Sequence, residues 1–132
     1  MNVIYPKWKE ALMQAGANVS LALTVNAYLV DTAAYTYSAA HQFLTDLPAP
    51  ARVGAAVTLT SKTFVNGVFD AADLNFVAVS GPDVEAMILA VYTGVDATSR
   101  LVAYIDSAIN LPFTPSGLDQ PVLFDVLGIF GL

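Results

Sequence analysis

Thr63-Phe64-Val65-Asn66-Gly67-Val68-Phe69 places two apolar, β-forming runs on either side of an Asn-Gly pair. A type I′ turn needs positive φ at both central residues, which Asn and Gly tolerate best, and its twist matches that of the strands it joins. The heptapeptide therefore predicts a tight antiparallel hairpin, and the sequence around it follows the same grammar. Upstream, Val53, Ala55, Val57 and Leu59 alternate with small or polar residues, the period-two pattern of a half-buried strand. Downstream, Leu74 to Val79 reads as a strand closed by Ser80-Gly81-Pro82-Asp83. Val84 to Tyr92 is apolar on both faces, as in a central strand covered on two sides. Thr93-Gly94-Val95-Asp96 turns the chain, Leu101 to Ile105 returns, and a loop from Asn110 to Pro121 precedes a last strand over Val122 to Phe130.

Towards the N-terminus, Leu21, Leu23, Val25, Ala27 and Leu29 point one way within a predicted strand from Ser20 to Val30, ended by Asp31-Thr32. Tyr35-Thr36-Tyr37 leads to Ser38, a candidate N-cap for a short helix over Ala39 to Leu47 that Pro48 and Pro50 stop. Another helix starts at Pro6, with Trp8, Leu12 and Met13 on one face and Gly16 as its stop. Six or seven short strands spaced by turns predict a mainly β chain. The expected architecture is an antiparallel β-sandwich or partial barrel with one or two short helices. Residues 1–132 form a single β-rich domain in this reading, with 1–16 as an N-terminal helix or arm.

The chain is 56% hydrophobic and only 12% charged. Its longest apolar region, Val84 to Ile105, is broken by Glu85, Asp96 and Arg100, whereas a spanning helix needs roughly 20 nearly uninterrupted apolar residues. The apolar surface must therefore be buried against protein. A domain of about 150 residues buries only about 70% of the surface its unfolded chain exposes, and the remainder normally carries about a quarter charged residues. Charge depletion of this size suits a subunit whose surfaces are covered by neighbours, because interface cores are poor in charge. Eleven acidic against five basic residues give a net charge of −6, which argues against nucleic acid and against anionic membrane surfaces as partners. The absence of cysteine removes disulfides and thiolate metal sites. No basic start followed by an apolar run marks the N-terminus as a secretory signal, so a cytoplasmic site of synthesis is expected.

Chemistry-bearing motifs are sparse. His41 is the only histidine, so a surface or structural role is expected for it rather than general base, and Gly-x-Ser-x-Gly and the glycine-rich phosphate loops do not occur. Asp70 and Asp73 flank Ala71-Ala72, with Asp83 and Glu85 at the next turn. Such carboxylates can serve acid–base or calcium chemistry, but Asp also recurs at turns because its side chain accepts hydrogen bonds from nearby backbone. Asn18-Val19-Ser20 matches the glycosylation sequon, which carries little weight without a secretory signal. The aromatic residues fall mostly in strand-like runs and suit core packing or a subunit interface better than sugar stacking.

Several segments taken in order carry a resemblance. They are Ile4-Tyr5-Pro6-Lys7-Trp8-Lys9, Leu29-Val30-Asp31-Thr32, Tyr35-Thr36-Tyr37-Ser38 with His41-Gln42-Phe43-Leu44, and Ser61-Lys62-Thr63-Phe64 with Asn66-Gly67-Val68-Phe69-Asp70-Ala71. Val79-Ser80-Gly81, Arg100-Leu101-Val102-Ala103-Tyr104-Ile105-Asp106 and Gly128-Ile129-Phe130 complete the set. Together they resemble a family of small structural proteins of tailed bacteriophages, over most of the chain but through turn and strand signatures rather than chemistry. The resemblance implies a non-enzymatic virion protein without a cofactor. It would be a capsid cement or decoration protein on the capsid exterior, made in the host cytoplasm and contacting the major capsid protein or other virion subunits, itself a homo-oligomer. A tail or head–tail connector subunit is the alternative. A calcium- or carbohydrate-binding β-sandwich using the Asp70, Asp73 and Asp83 turns is an alternative of another class. The apolar terminal segments supply the expected contact residues: Tyr5, Trp8, Leu123, Phe124, Ile129 and Phe130.

Overall fold

The computed structural model describes residues 1–132. Its centre is a five-stranded antiparallel sheet built from β1 (Asn2–Ile4), β2 (Val25–Val30), β3 (Arg52–Thr58), β7 (Ala86–Val91) and β8 (Arg100–Ile105), in the order β1-β8-β7-β2-β3. Every residue of β2 and β7 is buried, so both faces of the sheet's middle are covered. That explains why Val84 to Tyr92 reads as a continuous apolar run. It also explains why β2 is buried on both faces instead of alternating as expected.

The predicted hairpin is β4 (Thr63–Val65) and β5 (Val68–Asp70), with Asn66 and Gly67 at φ of 52° and 76°. Phe130–Gly131 (β10) adds to β5, giving the order β10-β5-β4. A two-stranded sheet pairs β6 (Leu74–Phe76) with β9 (Gln120–Val122), and β6 lies against β3. The chain is thus mainly β, with three antiparallel sheets and one α-helix, and the sheets do not close into a barrel. One cluster of 32 buried residues forms the core.

Helix α1 (Pro6–Met13) buries Trp8 and Ala11. Its left-handed terminating position falls one residue before the expected Gly16. Gly16 N–H donates to Ala11 O at 2.8 Å and Ala15 N–H to Leu12 O at 3.2 Å, the bond pair of a Schellman motif. Ala15, not Gly16, takes the left-handed position at φ 52°. Residues 1–16 are integral to the fold rather than an arm, since β1 pairs with β8 and Trp8 sits in the core.

Three expectations are corrected. The predicted strand from Ser20 begins only at Val25, because residues 21–23 form a turn in which Leu23 N–H bonds Ser20 O. The helix over Ala39 to Leu47 does not form. Ser38 Oγ accepts from Ala40 N–H in a local turn, and only Leu44–Asp46 make a single 3₁₀ turn. Its backbone is drawn instead to the start of β8, with Leu44 N–H on Ser99 O and Gln42 O accepting from Leu101 N–H. The final strand over Val122 to Phe130 is two short ones, β9 and β10. A turn separates them in which Gly128 N–H bonds Asp125 O and Leu127 N–H bonds the Asp125 side chain.

Candidate functional site: an apolar groove and a buried tyrosine chain

Aromatic side chains link the hairpin to the helix. Phe64 and Phe69 are cross-strand partners whose rings stack at 5.5 Å. Phe69 lies 5.4 Å from Phe130, and Phe130 meets Trp8 edge-on at 6.0 Å. Trp8 is fixed by its indole N–H, which donates to Val19 O at 3.0 Å. Between α1 and the hairpin, Trp8, Leu12, Leu21, Phe64 and Leu132 wall an open apolar groove of about 330 Å³. A second hollow of about 210 Å³, between Phe64, Val68, Phe130 and Leu132, continues it. Phe64 remains 54% exposed. Lys62 stands at the rim: its Nζ donates to Leu21 O at 2.7 Å and to Leu23 O, and partial desolvation lowers its pKa. Apolar residues with few polar partners equip this groove to bind another apolar surface.

The second feature lies against β8. Tyr5 and Tyr35 hydroxyls are 2.7 Å apart, and Tyr35 OH is 2.7 Å from Nδ1 of His41. All three groups are satisfied when Tyr5 donates to Tyr35, Tyr35 donates to Nδ1, and the imidazole proton sits on Nε2. The rings of Tyr37 and Tyr104 pack around the chain. Desolvation by burial raises the phenol of Tyr5 far above its usual value and that of Tyr35 to about 12; burial also raises Tyr104. His41 thus ends the chain of hydroxyls as the hydrogen-bond partner of Tyr35.

The expected contact residues divide. Tyr5, Trp8 and Phe124 are core residues of this chain, their aromatic bulk used internally, and of the three only Trp8 borders the groove. Leu123, Ile129 and Phe130 are half-buried. Phe130 borders the groove, while Leu123 and Ile129 line a separate hollow with Ile105 and Gly128. Phe64, Val65, Val126 and Leu127, none of them among the expected contact residues, are exposed, as are Met13, Val77 and Leu118 elsewhere on the surface.

Of the carboxylates, Asp70 bonds within its own turn, whereas Asp73 and Glu85 tie distant segments together. Asp70 accepts from Ala71 N–H at 2.8 Å, Asp73 from Phe124 N–H at 2.9 Å, and Glu85 from Thr32 N–H and Oγ1 at 3.1 and 2.9 Å. No three His, Asp or Glu side chains gather in metal-binding geometry. No helix is long and apolar enough to cross a membrane. No protein-family model matches the chain, and no curated protein matches it.

Proposed function

We propose that this chain is a non-enzymatic structural subunit of a tailed-bacteriophage virion, a decoration or cement protein of the capsid exterior. The observation that supports this reading most is the apolar surface left uncovered on a chain with so little charge: the groove beside Phe64, the edge residue Val65, and the Val126-Leu127 turn. Groups that elsewhere carry chemistry are engaged here in backbone and side-chain hydrogen bonds that hold turns and the core. At about 25 cal/mol per Å² of apolar area, several such patches seated at a seam between capsomers add up over a shell, although association entropy takes back part of the gain. An acidic surface suits a component kept away from packaged nucleic acid.

The test is co-sedimentation of the purified protein with expanded, undecorated phage capsids. Saturable binding to capsids and not to unassembled coat protein is expected. Equal binding to free coat protein removes the cement role. No capsid binding, together with rings or tubes formed by the protein alone, moves it to the tail.

A further inference from the structure

We infer that the Val126-Leu127 turn of one copy of this chain docks into the apolar groove between α1 and the β4–β5 hairpin of another copy. The turn is a protrusion without a partner of its own: Val126 is 95% exposed and Leu127 84%. It is nevertheless held in shape, because the Asp125 side chain accepts from Leu127 N–H at 2.8 Å and Asp125 O from Gly128 N–H at 3.0 Å. A pre-shaped pair of aliphatic side chains loses little freedom on docking. The groove offers Leu12, Leu21, Phe64 and Leu132 around Trp8, with almost no polar lining. It lacks the convergent polar groups that orient a small polar ligand.

Charge assigns the occupant. Lys62, at the entrance to β4, places its amine on the carbonyls of Leu21 and Leu23 beside the groove, and α1 carries Lys9 in addition to the Lys7–Glu10 ion pair. From Leu101 to Leu132 the chain has no Lys or Arg, while Asp106, Asp119 and Asp125 fall within it. The protrusion thus carries the Asp125 carboxylate at its base and the groove has the Lys62 amine at its rim, so a second copy brings the opposite charge to each. The alternative of strand addition at β4 is blunted, since that edge is only three residues long and follows a lysine. Protrusion and groove are different patches, so the contact is heterologous and generates a ring or an open array. This deepens the assembly reading but does not depend on a virion setting.

The experiment measures mass in solution, by sedimentation equilibrium, for the full chain and for Leu127→Asp and Phe64→Asp. Leu132→Asp serves as a second groove variant should Phe64→Asp perturb the hairpin, and far-UV circular dichroism checks each fold. Wild type is expected to self-associate, and each single variant to do so at least about tenfold more weakly. Mixing Leu127→Asp (intact groove) with Phe64→Asp or Leu132→Asp (intact turn) restores a one-to-one heterodimer that cannot grow. A monomeric wild type, folded variants that associate as wild type does, or a mixture that stays monomeric overturns the inference. Capsid co-sedimentation of the wild type separates the two proposals. Self-association together with capsid binding supports both, whereas self-association without any capsid binding removes only the virion reading.

Discussion

Replacing Tyr35 with Phe removes one hydroxyl and keeps the ring against Tyr104 and His41. The lost hydroxyl is the middle of the buried chain, so two bonds of 2.7 Å disappear together. Tyr5 OH, on a fully buried residue, then has no partner, and an orphaned buried polar group costs about 1–3 kcal/mol. His41 is only half-buried and recovers part of its loss from water, so its bond counts for about 1 kcal/mol. Tyr35→Phe should therefore lower stability by about 3 kcal/mol. Tyr5→Phe loses one bond and leaves Tyr35 on His41, a loss of about 1 kcal/mol. In the double variant no hydroxyl is left unpaired, and only the ordinary worth of two bonds, about 2 kcal/mol, is missing. The double variant should thus be more stable than Tyr35→Phe alone, with a coupling of about 2 kcal/mol between the sites. Urea unfolding, followed by fluorescence of the single, buried Trp8 at low protein concentration, measures all three. Losses that add to within about 0.5 kcal/mol would refute the chain as a coupled unit.

The same phenols set the response to alkali. Burial raises Tyr5, Tyr28, Tyr35 and Tyr104 above the ordinary phenol value, Tyr35 to about 12. Above pH about 10 the unfolded chain releases these protons while the folded chain keeps them. The contribution from Tyr35 is therefore intact below about pH 10 and is lost as pH rises through about 12. Phenolate absorbance should rise together with loss of circular dichroism, and titration of all six tyrosines near pH 10 with the fold intact would contradict the burial argument. Ala15→Gly relieves a left-handed alanine, worth about 1–2 kcal/mol, against about 0.4–1 kcal/mol of added unfolded-state entropy; a net gain of about 0.5 kcal/mol should show as a higher Tm, and a lower Tm would reject it. Gly67→Ala places a Cβ 2.8 Å from the Leu132 carbonyl oxygen at a φ of +76°. It should cost about 2 kcal/mol or more and expose the Ile129 and Leu132 amides, which bond Phe69 O and Gly67 O, to faster hydrogen exchange; unchanged protection would contradict it.

What could be read from the sequence was local. Asn66-Gly67 needs only its own φ values to turn, and the run from Val84 needs only its composition to sit between two strands, so both are where they were expected. Pro6 and Trp8 likewise fix α1 from within. The errors arise where a distant strand outbids a local preference. Gln42 and Leu44 bond to Leu101 and Ser99, more than fifty residues away, and no pattern within Ala39 to Leu47 reports that competition. The tyrosine chain was hidden for the same reason, since Tyr5 and Tyr35 are brought together by β8 packing and not by spacing. Apolar identity at the termini correctly marked greasy segments but could not say which side chains face inward. Trp8 and Phe124 went to the core, while Val126 and Leu127, two and three residues beyond Phe124, were left in solvent.

That division bears on why the chain tolerates so little charge. The middle strands β2, β7 and β8 are covered on both faces by the chain's own connections, with Tyr35, Leu44 and Leu47 among the buried residues that the connection from β2 to β3 contributes, while edge strand β3 stays largely exposed. Among the exposed apolar residues, Phe64 and Val65 sit on the hairpin edge, and Val126 and Leu127 on a turn whose shape Asp125 holds. Folding gains almost nothing from side chains that remain in water, so their apolar character is of use only to a contact made after folding. Polar substitution at Val126 or Leu127 should accordingly leave the unfolding midpoint of the monomer unchanged while altering association, whereas substitution at Trp8 should do the reverse first. A chain in which these two effects separate by position is one whose surface is adapted to assembly.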